Sequence, residues 1–145
     1  MGLVETWWRK GRAGIGPAIF FSDDRFIRLN GYPEAGYEAE VRGLVRDTKP
    51  PYADWLCYLV AFCEARDGTF RVIGYGTSWE GEGALALTRD QRFLWIASLP
   101  DAEIFREVSI RGDVIEAVSE EYPFRYTWRI PLDTPENLSV VGERL

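Results

Sequence analysis

The sequence predicts a mainly β domain: an antiparallel sheet, sandwich or partly open barrel built of consecutive hairpins, with at most one helix. Three observations carry this prediction. Apolar and polar residues alternate with period two through the last two-thirds of the chain, and turn residues separate the alternating runs. Six Trp, seven Tyr and eight Phe in 145 residues are too many for a segment that stays unfolded. A chain of this length buries about two-thirds of the surface it exposes when unfolded, so residues 1–145 are expected to form one domain.

In chain order, residues 18–21 and 26–29 flank Ser22, Asp23, Asp24 and Arg25 as a short hairpin. Residues 30–36 read as a loop, and residues 37–45 alternate as a half-exposed strand. Prolines mark a second loop at 49–52. Residues 55–63 are apolar on both strand faces, yet place Trp55, Leu56, Leu59, Val60 and Cys63 on one helical stripe. Two readings stay open here: a helix over 54–65 capped by Asp54, which would make the fold α+β, or a strand turning through Asp67 and Gly68. From there the alternation is clear at 70–75, 93–98, 104–110, 114–118 and 124–130, with turns at 66–69, 89–92 and 111–113.

Composition bounds the chemistry. With no histidine, the Ser-His and Cys-His nucleophile pairs, imidazole bases and the usual zinc and non-haem iron ligand sets are excluded. Cys57 and Cys63 would stand roughly 20 Å apart on a strand or 9 Å apart along a helix, too far for a disulfide. Two free thiols suit a reducing cytoplasm. The apolar residues of the N-terminus precede its charges, opposite to a signal peptide, and no run is long enough to span a membrane as a helix. Gly11, Gly14 and Gly16 lack the Lys and Ser/Thr of a phosphate loop and read as a flexible loop. Arg111, Gly112 and Asp113 read as a hairpin turn. Glu80 and Glu82 flank Gly81, and paired carboxylates serve glycosidases, but nothing else here completes such a site. No ladder of calcium ligands accompanies Asp23, Asp24, Asp101 or Glu103. No catalytic residue, metal ligand or cofactor is assigned.

The net charge of −6 is unevenly spread: Arg9, Lys10 and Arg12 against Glu5 in the first twelve residues leave −8 on the other 133. Such a body repels nucleic acid and anionic membranes and attracts a basic partner. Fifteen of the seventeen basic residues are Arg, the bias of a GC-rich, bacterial genome. Trp7, Trp8 and Trp79 are badly placed to join a small core; they read as interface anchors, or Trp7 and Trp8 as a cap on an open sheet end. Asp101, Glu103, Glu116, Glu120 and Glu121 fall in neighbouring hairpins, forming an acidic patch if they share a face and an ordinary solvated surface if they do not. With Glu80 and Glu82, these residues are the expected partner-binding set. The expected function is a non-enzymatic protein-binding domain, a small acidic cytoplasmic inhibitor or immunity-type protein that neutralises a basic partner such as a toxin. The alternative is a small barrel or sandwich holding an apolar or sugar ligand between Trp95, Tyr126 and Trp128. No strand edge is marked for self-association.

Overall fold

The alternating runs fold as strands in the computed structural model, which describes residues 2–47, 56–79 and 81–145. The 49–52 loop, Asp54, Trp55 and Glu80 lie outside the described residues. The chain opens with helix α1 (Leu3–Arg9), followed by strands β1 (Arg12–Gly14), β2 (Ala18–Phe21), β3 (Arg25–Tyr32), β4 (Gly36–Leu44), β5 (Leu56–Asp67) and β6 (Phe70–Thr77). It continues through β7 (Gly83–Arg89), β8 (Arg92–Leu99), β9 (Phe105–Arg111), β10 (Val114–Glu121), β11 (Phe124–Pro131) and β12 (Ser139–Arg144). Two sheets result, one of eight strands in the order β1, β5, β6, β7, β8, β2, β3, β4, and one of four in the order β12, β11, β10, β9. All strand pairs are antiparallel.

Turn chemistry fits the hairpins. Asp90 and Gln91 both adopt positive φ, 51° and 67°, between β7 and β8, the backbone twist that a two-residue turn needs. Gly68 and Gly112 supply the same conformation at two other turns. The loop expected at 30–36 is shorter than the sequence implied, because β3 and β4 pair as far as Tyr32 and Gly36.

Three strands lie between β1 and β8 in the sheet order, yet the Ser98 hydroxyl on β8 donates to the Gly14 carbonyl on β1 at 2.7 Å. The large sheet is therefore rolled on itself without closing into a barrel. Its two faces bury different cores. The outer face meets the small sheet, with Ile19, Val72, Leu85, Leu87, Trp95 and Leu99 packed among Phe105, Ile115, Trp128 and Ile130. The inner face encloses Phe20, Phe26, Ile73, Tyr75, Phe93 and Ile96 around Val4, Trp7 and Trp8 of α1. Strand β7 shows the division most clearly: Leu85 and Leu87 face outward to the second sheet, while the smaller Ala84 and Ala86 leave room inside the roll.

Among the described residues the one α-helix is α1, and no helix forms over the described part of 54–65: residues 56–65 belong to β5. Pairing to β6 supplies the backbone bonds of this segment, and its bulge places Cys57 and Cys63 in different surroundings. Cys57 bonds the Ala13 carbonyl inside the roll, whereas Cys63 bonds the Phe105 carbonyl beneath β9. The run also proves less buried than its apolarity suggests, since Tyr58, Val60 and Phe62 are each more than half exposed. A seven-residue helix is marginal by itself. Here the Asp24 carboxylate of the β2–β3 turn accepts the backbone N–H groups of Leu3 and Val4, both at 3.0 Å, and so caps the helix from outside it. Arg9 and Glu5 add a one-turn ion pair at 2.8 Å. Changing Asp24 to Ala is expected to cost about 1–2 kcal/mol, read as a lower urea midpoint with weaker near-ultraviolet tryptophan dichroism. An unaltered midpoint would mean that the Asp24 carboxylate does not stabilise the helix. Among the described residues, no helix is long and apolar enough to cross a membrane.

Candidate functional site

The sequence-selected residues separate into four environments. Trp7 and Trp8 are half-buried against the inner core. Trp8 stacks on Phe93 with centroids 5.0 Å apart, and its indole N–H donates to the Tyr75 hydroxyl at 3.0 Å. They close the rolled sheet, and of the three tryptophans only Trp79 is exposed.

Glu82 is buried, 1 % exposed, and so presents no carboxylate at the surface. It lies just before β7, within 3.9 Å of the Cys57 thiol and 3.5 Å of the Gly16 N–H. Burial pushes its pKa up to about 7, against the opposing pull of the Gly16 and Cys57 bonds. Burial, with Glu82 nearby, pushes the Cys57 thiol up to about 11. Cys57 is therefore a protonated donor at neutral pH, without the thiolate that nucleophilic chemistry requires.

Glu116 and Glu120 lie on the outer face of β10, where the hairpin register sets them opposite Arg129 and Arg125. Both cross-strand ion pairs measure 3.6 Å. These two carboxylates are spent on their own hairpin.

Asp101, Glu103 and Glu121 form a different set. The turn after β8 carries the first two and the end of β10 carries the third, and the β3–β4 turn adds Glu34. The Tyr37 hydroxyl donates to Asp101 at 3.0 Å, and the Tyr126 hydroxyl to Glu34 at 2.7 Å. Burial, then the charges of Asp101, Glu103 and Glu34, raises the pKa of Glu121. Burial, with Glu34, Glu121 and Asp101 nearby, pushes Tyr126 up to about 12, and burial with Asp101 and Glu34 holds Tyr37 higher still. None of the four carboxylates has a cationic partner within 4 Å among the described residues. Nor, among those residues, do three or more His, Cys, Asp and Glu side chains approach closely enough to hold a metal ion. The arrangement is an acidic rim with phenol donors fixing its carboxylates, suited to a spread cationic group. Exposed Tyr122, 87 % accessible, follows Glu121 directly.

Sequence reasoning missed Glu34, Tyr37 and Tyr126 as members of this rim. Alternation marked Tyr37 and Tyr126 as strand residues, but their hydroxyl partners lie 64 and 92 positions away along the chain. Trp95, Tyr126 and Trp128, the expected ligand walls, are 2 %, 4 % and 0 % exposed. Trp128 is in ring contact with Tyr37, Phe105 and Tyr126, its N–H donates to Ser119, and the Trp95 N–H donates to the Leu132 carbonyl. These rings fill the space between the sheets.

The fold and rim define an antiparallel two-sheet architecture with an acidic end whose carboxylates lack a cationic partner among the described residues. Comparison with known protein families, with curated proteins and with solved structures found no match.

Proposed function

We propose that this domain acts by binding a basic protein through its acidic rim, as an inhibitor of the immunity type that covers the partner's cationic surface. The observation that carries this reading is the convergence of Glu34, Asp101, Glu103 and Glu121 from three separated chain segments with no ion-pair partner among the described residues. Like charges held together are costly, and a guanidinium- or ammonium-rich surface relieves that cost on contact. The partner would be a protein such as a basic toxin, with no role for nucleic acid or membrane, which the net charge of −6 disfavours. Two free thiols support a reducing, cytoplasmic site of action.

The test compares the natural protein with a variant carrying E34Q, D101N, E103Q and E121Q, both immobilised and exposed to lysate at low and high salt. A stoichiometric basic protein held by the natural chain, released by salt and bound at least tenfold more weakly by the variant is the expected result. Equal capture by both proteins overturns the reading. The rim also fixes the pH dependence: with its pKa raised, Glu121 loses its charge earlier than an ordinary carboxylate as pH falls, so binding should weaken on acidification.

A further inference from the structure

At the other end of β8 the chemistry is reversed. A cleft of about 440 Å³ opens between the end of α1 and the β5–β6 and β7–β8 turns, walled by Trp8, Arg9, Arg66, Phe70, Arg71 and Asp90. That volume lies in the range of sites for small organic molecules. A second cleft of about 350 Å³ shares Trp8 and Arg9 as wall and continues past Tyr75 toward Leu59.

Three arginines line the first cleft, with one acidic residue, Asp90 of the β7–β8 turn. Arg9 is paired with Glu5 and Arg71 with Glu64, but both pairs are made through Nε. Among the described residues the terminal nitrogens of each fork carry no hydrogen bond, which leaves them for an incoming group. Arg66 has no ion-pair partner within 4 Å among the described residues. Planar guanidinium forks match the oxygen spacing of carboxylates and phosphates, and a compact, partly enclosed cleft strengthens each such bond. The aromatic wall adds a second requirement. Trp8 is held by its Phe93 stack and its Tyr75 hydrogen bond, and the Arg9 guanidinium lies over its ring at 5.5 Å, so an incoming ring would meet a fixed indole beside or in place of that guanidinium. Rigid aromatic faces bind flat apolar bodies at little entropic cost.

We propose that this cleft binds a small organic anion, a carboxylate or phosphate carried on a flat ring, with Arg9, Arg66 and Arg71 taking the oxygens and Trp8 and Phe70 the ring. The site is independent of the acidic rim. It also relocates aromatic ligand binding from the filled space around Trp95 and Trp128 to the mouth of the rolled sheet.

Nitrogen-15 NMR of the tryptophan indole groups tests the site, with Trp8→Phe identifying the Trp8 signal. The probes are 1-naphthoate for the carboxylate arm, adenosine monophosphate for the phosphate arm, and inorganic phosphate as charge without a ring. A saturable shift of the Trp8 indole with either ring-bearing probe is expected, with a much weaker response to inorganic phosphate. Arg66 is exposed, so Arg66→Ala should leave the other indole signals in place while weakening that binding roughly tenfold. The proposal is overturned if neither ring-bearing probe shifts the signal at millimolar concentration, or if Arg66→Ala binds as tightly as the natural chain.

Discussion

Replacing Glu82 with Gln is expected to stabilise the domain by about 2 kcal/mol at pH 8 and to leave it nearly unchanged at pH 4. The sign follows from a carboxyl whose pKa rises from 4.5 to about 7 on folding. Below 4.5 the group is protonated in both states and folding pays nothing for it. Between 4.5 and about 7 the unfolded chain releases its proton while the folded chain keeps it, so stability falls as pH rises. Above that window the loss is complete, at about 3 kcal/mol from the size of the shift. Gln removes the loss but keeps only one of the two acceptor oxygens of Glu82, which takes the Gly16 N–H on Oε2 and the Cys57 thiol on Oε1, so its amide NH₂ faces one of these donors and takes back part of the gain. Urea midpoints of both proteins across this range provide the check. Parallel profiles would show that Glu82 titrates as an ordinary carboxylate.

Gly16→Ala should be the most damaging of three conservative glycine changes, costing about 3 kcal/mol or more. A β-carbon at Gly16 would lie 1.8 Å from the Ser98 carbonyl oxygen and 2.7 Å from the Ala18 nitrogen, both backbone atoms. Neither can yield without opening the contact that rolls the sheet. Gly14→Ala meets the tip of the Phe20 ring at 2.5 Å, a side chain that can shift within the inner core at lower cost. Gly11→Ala meets nothing within 4 Å and bears only the left-handed φ of +72°, about 1 kcal/mol. The ranking Gly16, Gly14, Gly11 in urea midpoints is the expected result; equal losses would mean that the crossing is loose. Glycines that read as a flexible loop are thus, at two of three positions, points of close approach.

The hairpins were legible wherever one strand face is polar, because period two is visible only against contrast. At β11, Tyr126, Trp128 and Ile130 are buried while Arg129 is exposed, and the pattern reads directly. At β7 six consecutive residues are buried, the polarity contrast vanishes, and the strand escaped notice. The helix was illegible for another reason: its cap is Asp24 and its packing partners include Tyr75 and Phe93, none of them local. Within the candidate site, Asp101, Glu103 and Glu121 come from neighbouring hairpins and lie close enough to act on one another electrostatically, while Glu34 needed the topology. Glu116 and Glu120 illustrate a signal present but unread. A turn at 122–123 sets them opposite Arg129 and Arg125 by register alone, so their pairing was available from the sequence.

Helix α1 has a consequence for the order in which the protein is made. Translation delivers it before every residue that holds it in place, from the capping carboxylate at Asp24 to Tyr75 and the stacking ring at Phe93. Seven residues do not sustain a helix alone, so this segment leaves the ribosome without stable structure and waits until β8 has emerged. During that interval Trp7 and Trp8 lack the inner-core contacts that half-bury them in the folded protein. The part synthesised ahead of the sheet is among the last parts to be fixed, and it closes the roll from within.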